Sequence, residues 1–385
     1  MESPPLRAPL IAATLGLLAV APTGTRVAIR VTCDDCTRAR ALALDVWSER
    51  TGPGMPLDIV VTSDALPRLS HWEILVPDID AAARDEADRL HAAARPADWF
   101  AEYHDYTEIT ARLEELARLA PDRVRLVPIG GSVEGRTIVG LQIGRGTPML
   151  VDGTEHAREW ISAAVTTCVA DRLVRDYDRD PKIRAFVDHT ALWIVPVVNP
   201  DGYQYSWAGN RYWRKTRRDG TGVDLNRNFP VAWGGKGSSG NERAEDYRGR
   251  HALSEPESLA LADLVQREHV ALHVDFHSYG QLVLYRWDHT ETPAPDRDRF
   301  AAIGDRITSA MVAAHDTRYT LMSGVELYPA AGTLSDWMYG ENHALSYTIE
   351  LRPKGRPGFV LPPEEIRPTC DEGLAAVLEL RAAMP

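Results

Sequence analysis

His156 and Glu159 stand three residues apart in Asp152-Gly-Thr-Glu-His156-Ala-Arg-Glu159, just ahead of a helix expected to begin near Trp160. At that spacing an imidazole and a carboxylate lie on one side of a turn and can share a metal ion. His-x-x-Glu alone is usually an ordinary surface pair, so its company decides the reading. A third nitrogen ligand is at hand in His277, which ends another apolar run and opens His277-Ser-Tyr279. Two histidines, one glutamate and a position left open for water form a catalytic zinc set. Two further apolar runs end in Asn199-Pro-Asp-Gly202 and Glu350-Leu-Arg352. Ligands of open α/β sheets bind beyond the carboxyl ends of the strands, so four polar endings in one chain point to a site.

The elements that must position these groups are legible as periodicity. Apolar runs at Met149–Val151, Ala191–Val198, Ala271–Phe276 and Leu345–Ile349 are near-continuous, the pattern of strands covered on both faces. Helical stretches are expected at Tyr106–Leu119, Trp160–Tyr177, Glu255–Glu268 and Phe300–Ala314. From residue 97 to 385 the chain therefore reads as one α/β unit, a mixed central sheet with helices on both faces. Residues 24–96 read differently. Val27, Ile29 and Val31 alternate as in a strand, and a helix is expected from Arg38 to Glu49. A Gly52–Gly54 turn, a second alternating run at Leu57, Ile59 and Val61, a short helix, a strand at Trp72–Val76 and a helix from about Asp80 to Ala94 follow. That is a small α+β domain closed by Pro96.

With a net charge of −12 in 385 residues and no basic stripe, the chain is not expected to bind nucleic acid. No segment reaches the ~18–20 apolar residues of a membrane span. The run Ala8–Ala21 after Arg7 has the length of a signal-peptide core, so residues 1–23 are read as a leader and the protein as secreted or periplasmic. Cys33-Asp-Asp-Cys36 lacks the second pair of a zinc ribbon, which leaves a local disulfide or two free thiols.

His156-Ala-Arg-Glu-Trp-Ile161, Asn199-Pro-Asp-Gly-Tyr203, Arg211-Tyr-Trp-Arg-Lys-Thr-Arg217, Gly222-Val-Asp-Leu-Asn-Arg-Asn228, His277-Ser-Tyr279, Leu327-Tyr328, Asp336-Trp337 and Glu350-Leu-Arg352 together resemble the pancreatic-type zinc metallocarboxypeptidases. The resemblance runs in order from about Trp99 to the C-terminus. Leu44-Asp-Val-Trp47 and Pro56-Leu-Asp-Ile59 resemble the activation propeptide of that family. It implies one zinc ion on His156, Glu159 and His277, with Asp224 accepting a hydrogen bond from a ligand imidazole. Glu350 would be the general base and Arg214 the stabiliser of the oxyanion. Asn226 and Arg227 would clamp the substrate's terminal carboxylate in a planar fork. Tyr328 would close over the bound chain end, and Arg158 and Tyr279 would line the next subsite. Peptide and protein C-termini are the implied substrates, an activating protease the implied partner, and a monomer is expected.

The side chain released is set, in the family, at the base of the first pocket. Ser335 takes a position that is large and apolar in aromatic-preferring members and acidic in one basic-preferring branch. Asp288 falls where other basic-preferring relatives carry aspartate. A buried carboxylate there would select Lys or Arg by charge pairing, whereas a solvated aspartate at a strand-end loop would not. The loop from Trp233 to Tyr247 lacks the cysteines that some animal members bridge. Arg84, Arg89 and Arg95 are candidate activation sites, although Pro96 disfavours a cut after Arg95. Two other readings compete: a zinc amidohydrolase acting on N-acyl amino acids or cell-wall peptides, and a catalytically inactive peptide-binding module. Joint retention of Asn226, Arg227 and Tyr328 weighs against the first, and the filled base and ligand positions weigh against the second.

Overall fold

A computed structural model describes residues 22–32, 36–48, 56–92 and 98–384. The leader core, Cys33, the Gly52–Gly54 turn, Arg95 and Pro96 lie outside the described residues.

The N-terminal alternation becomes a four-stranded antiparallel sheet of β1 (Arg26–Thr32), β2 (Asp45–Val46), β3 (Pro56–Thr62) and β4 (Trp72–Val76), in the order β2-β3-β1-β4. Val27, Ile29 and Val31 face α1 (Thr37–Leu42) and the turn after β3. The helix expected over Arg38–Glu49 is thus only six residues long. Leu44, Trp47 and Ser48 donate backbone N–H groups to β3 instead, which stretches residues 44–48 along the sheet. The opposite face of β1 carries Ala28, and with Val60, Trp47 and Ile79 of α2 (Ile79–Ala92) it packs on Tyr212 and Phe359 of the larger unit.

The larger unit contains α3 (Tyr106–Leu119), β5 (Val124–Gly131), β6 (Thr137–Ile143), β7 (Thr147–Gly153), α4 (Trp160–Arg175), α5 (Pro181–His189), β8 (Thr190–Val195), α6 (Pro200–Ala208), α7 (Pro256–Glu268), β9 (Leu272–Ser278), β10 (Leu282–Tyr285), α8 (Arg297–His315), β11 (Thr320–Ser323), α9 (Gly324–Leu327), α10 (Leu334–Gly340), β12 (Leu345–Leu351) and α11 (Ile366–Ala382). Its eight strands run β11-β10-β12-β9-β7-β8-β6-β5. The central β12-β9-β7-β8 pairs are parallel and the β10–β12, β8–β6 and β6–β5 pairs antiparallel, the mixed sheet expected.

Successive strand residues face opposite sides. Met149 and Val151 join a core with α3, α4, α8 and α11, while Leu150, Trp193 and Val195 join a second core with α7 and α10. Two separate cores explain why the strands read as unbroken apolar runs. β8 stops at Val195 rather than Val198, because Pro196 has no N–H to give a ladder. A disulfide joins Cys168 of α4 to Cys370 of α11, and Cys36 is also disulfide-bonded.

Candidate metal centre and active-site cleft

The parallel β9–β12 pairing sets Glu350 directly across from His277, and the neighbouring β7–β9 pairing ends with Gly153 across from Phe276. The chain leaving β7 passes through Thr154, held at φ 62°, and presents His156 and Glu159 before α4 begins at Trp160. Asn199 braces this loop: its side-chain amide donates to the carbonyls of Glu155 and Lys215, both at 3.0 Å. A side chain at Gly202 would meet the Lys215 carbonyl at 2.5 Å, so only glycine lets α6 approach. Asn199-Pro-Asp-Gly therefore supplies a brace, whereas the other three strand endings bring their side chains to one place.

His156 Nδ1 lies 2.8 Å from Glu159 Oε1, and His277 Nδ1 lies 3.1 Å from both His156 Nδ1 and Glu159 Oε2. Ligands ~2.0–2.1 Å from one tetrahedral zinc would stand about 3.3 Å apart, so this spacing suits it. The remote nitrogens fit as well. His156 Nε2 meets Asp224 Oδ1 at 3.1 Å and His277 Nε2 meets Asp275 Oδ2 at 2.9 Å, an arrangement that leaves both Nδ1 lone pairs facing the same point. Burial would lower the basicity of His277, yet Asp275 and Glu159 raise it well above the usual imidazole range. Burial likewise pushes the Glu159 carboxyl up, but His156 and His277 outweigh it and hold it low. The position thus favours positive charge, and the donor set fits a zinc ion.

Each predicted residue can now be placed. Burial pushes the Glu350 carboxyl up to about 8, with His277 opposing the shift. Arg214 donates through Nη2 (2.7 Å) and Nε (3.2 Å) to Asp224 Oδ2, so Asp224 links the arginine to His156. Asn226 accepts from the Leu334 N–H at 3.0 Å, fastening the clamp segment to α10. Arg227 is buried, donating through Nε to the Gly237 carbonyl (2.7 Å), with its guanidinium 5.8 Å from the Tyr328 ring. Arg158 and Tyr279 are engaged by the N-terminal unit. Arg158 Nη1 donates to Asp45 at 3.1 and 3.2 Å, and the Tyr279 hydroxyl donates to Asp58 Oδ2 at 2.8 Å. Ser335 shares a 2.8 Å hydrogen bond with Thr348. Asp288 is buried rather than solvated, but Arg286 already donates to it at 2.6 Å.

The basic run at Arg211–Arg218 is consumed one residue at a time. Arg211 pairs with Glu86, Arg214 with Asp224 and Arg218 with Glu255, while Lys215 donates to two carbonyls and Arg217 stacks on Tyr205. Sequence reasoning missed Asp275, although its place two residues before His277 puts it on the same strand face. It also missed Glu155, which is fully buried, has His277 Nε2 3.6 Å from Oε2 but no closer hydrogen bond among the described residues, and is pushed up to about 8 by burial and then by Asp275. The period-two spacing was the available signal for Asp275, and nothing in the periodicity marked Glu155.

The fold and the donor set together define a metallohydrolase of the α/β class with a zinc site at the strand ends. A profile of the zinc carboxypeptidase family matches residues 109–376. The chain is 38% identical to carboxypeptidase B of Bos taurus over 335 residues, covering 83% of this chain and 79% of that protein. It is 32% identical to carboxypeptidase A1 of Mus musculus over 363 residues, with 88% and 87% covered. Among solved structures, thrombin activatable fibrinolysis inhibitor superposes with a TM-score of 0.85 at 29% identity, covering 93% of this chain and 98% of that one. The carboxypeptidase A of Helicoverpa armigera gives 0.83 at 27% identity, with 94% and 98% covered. The chain belongs to the zinc carboxypeptidase family. It is a zinc metallocarboxypeptidase with one catalytic zinc ion, hydrolysing the C-terminal peptide bond of peptides.

Proposed function

We propose that His156, Glu159 and His277 hold the zinc ion, that Glu350 is the general base, and that the N-terminal unit keeps the enzyme latent. The observation that carries the first part is the pairing of Glu350 with His277 across β12 and β9, which fixes base and ligand on adjacent strands. When bound, zinc supplies a Lewis acid and lowers the pKa of water toward about 7. Glu350 then takes a proton from the attacking water and gives it to the leaving amine. Arg214, oriented by Asp224, faces the charge that develops on the carbonyl oxygen. Asn226 and Arg227 receive the terminal carboxylate and Tyr328 covers it, so the last peptide bond is the one presented. Ser335 and Asp288 border the side chain of the residue released.

Latency is supported by occupancy of the upstream subsite: Asp45 and the Val46 carbonyl take Arg158, and Asp58 takes Tyr279. Trp47 stacks on Tyr212 and meets Phe359 edge-on at the cleft. Residues 24–96 then act as a propeptide released by an activating protease, residues 97–385 as the catalytic domain and residues 1–23 as a signal peptide. The enzyme is a monomer exported from the cytoplasm, and no helix of the described residues is long and apolar enough to cross a membrane.

The test is mass spectrometry of peptides with free C-terminal acids and of their amides, before and after limited proteolysis, with and without chelator. Stepwise, chelator-sensitive loss from the acids alone is expected. Arg227→Lys, which loses the fork, should lower kcat/KM on the acids by about 100-fold, ~3 kcal/mol, and narrow the gap to the amides. Equal cleavage of acids and amides by the wild-type protein refutes the carboxylate clamp.

A further inference from the structure

The side chain released by such an enzyme must enter the space between the terminal clamp and the catalytic base, and that clamp and that base are joined through three parts of the fold: β12, α10 and the segment after β10. Thr348 lies two residues before Glu350 on β12, hence on the same face and one step deeper. Ser335, in the first turn of α10, bonds Thr348 at 2.8 Å, and Leu334 beside it holds Asn226. Asp288, just beyond β10, accepts from Thr333 Oγ1 at 2.8 Å through Oδ2. The base of the space is therefore polar.

Behind it sits a residue that the chemistry described so far does not use. Arg286 is 1% exposed and donates through Nη1 to Asp288 Oδ2 at 2.6 Å. Its Nη2 reaches Thr348 Oγ1 and the Leu284 carbonyl, each at 3.3 Å. Asp288 and Thr348 are 7% and 6% exposed, so what solvent access this group has falls on them rather than on the guanidinium. The other carboxylate oxygen, Asp288 Oδ1, has no hydrogen-bond partner among the described residues and packs against Gly324, where a Cβ would stand only 1.7 Å from it. Glycine at position 324 leaves room for this carboxylate and for no side chain of its own. Asp336 lies 3.8 Å from Arg286 Nη1 and accepts from the backbone of Asp288 and from His289 Nδ1 at 2.6 Å.

We propose that Arg286 is a specificity-determining residue: it closes an ion pair with Asp288 at the base of the first pocket, cancels the carboxylate that would otherwise select lysine or arginine, and directs the enzyme to short, uncharged C-terminal residues such as Ala, Ser and Thr. This rests on the carboxypeptidase reading above. A lysine ammonium entering the pocket must share Asp288 with a guanidinium already bound to it, and the two cations repel at close range. A glutamate side chain meets Asp288 first, because that carboxylate keeps some exposure while the Arg286 side chain has none. A long aromatic or aliphatic side chain must strip water from a polar base while offering it no hydrogen bond. A short side chain ends above the pair and disturbs none of it.

The experiment measures kcat/KM for the zinc-loaded full chain, intact and after limited proteolysis, on one peptide series ending in Ala, Ser, Phe, Lys or Glu. Wild type is expected to favour Ala and Ser over Lys and Glu by at least tenfold. Arg286→Met, which frees Asp288, should raise the Lys-to-Ala ratio at least tenfold. Asp288→Asn, which frees Arg286, should raise the Glu-to-Ala ratio instead. Arg286→Lys keeps the charge and should keep the wild-type ranking, and it carries the test together with Asp288→Asn should the methionine variant not fold. A wild type that prefers Lys, or ratios that the variants leave unchanged, overturns the proposal while the carboxypeptidase reading stands. A zinc-loaded wild type that releases no C-terminal residue before or after proteolysis overturns both.

Discussion

Glu86→Ala tests whether the N-terminal unit keeps the enzyme latent by docking. Glu86 and Arg211 are both buried where α2 meets the larger unit, and Arg211 Nε donates to Glu86 Oε2. Removing the carboxylate leaves the guanidinium two carbonyl acceptors, Arg158 at 2.8 Å and Phe359 at 2.7 Å, and the Trp160 ring at 3.7 Å, but no counter-charge. Breaking one side of a buried pair costs ~3–5 kcal/mol, and the surviving contacts argue for the lower end. About 3 kcal/mol is a factor of about 100 in the docking equilibrium. Asp80→Asn is the comparison. Its partner Arg26 and Asp80 itself are 42% and 40% exposed, so that pair is worth no more than ~1 kcal/mol. The assay is chelator-sensitive release of the last residue of a peptide by the uncut chain, relative to the same chain after limited proteolysis. Wild type should be nearly silent until cut. Glu86→Ala should raise the uncut activity by up to about 100-fold, and Asp80→Asn by less than about fivefold. An uncut Glu86→Ala chain as silent as wild type, or equal effects of the two substitutions, refutes the docking argument.

Asp275→Asn removes the charge behind His277 and should weaken zinc binding about 10- to 100-fold, measured by competition with a chelator of known affinity. Glu257 is fully buried, accepts from the Val133 N–H at 2.9 Å, and is pushed up to about 7 by burial. Because the folded chain holds this proton to a higher pH than the unfolded chain does, stability should fall as pH rises from about 4.5 to about 7 and the penalty should then stay constant. Glu257→Gln should therefore be more stable than wild type by up to ~3 kcal/mol at pH 8 and close to wild type at pH 4, read from denaturant melts at the two pH values. Replacing Cys168 and Cys370 together by alanine opens a bridge spanning 202 residues of chain, whose loop entropy sets a ceiling of about 5 kcal/mol on the stability lost. A thermal midpoint unchanged in that double variant would contradict this.

The sequence by itself determined the parts of this protein that depend on near neighbours. Tyr106–Leu119 was legible as a helix to the residue, and Trp72–Val76 as a strand, because periodicity is a local property. His156 and Glu159 were legible as a pair able to share a metal for the same reason, since three residues of one turn fix their separation. Arg38–Glu49 was misread because pairing with β3 stretched half of a helical pattern, a contact that no local pattern encodes. What only the tertiary structure decided is which groups meet across the sheet and between the two units. Glu350 meets His277 because β12 lies beside β9, although 73 residues separate those positions in the chain. Asp275 could be recognised as the support of His277 only once the strand had been given a direction and a face. Asp288 is the sharpest case: its position suggested a counter-charge for a basic substrate, and the folded chain puts Arg286 there instead. Those two residues are two positions apart in sequence, but their side chains pair because the chain leaving β10 turns back against Thr333, Thr348 and Gly324, each supplied by a different element of the fold. Burial then makes the pairing decisive, since a charge removed from water must find its partner inside the protein.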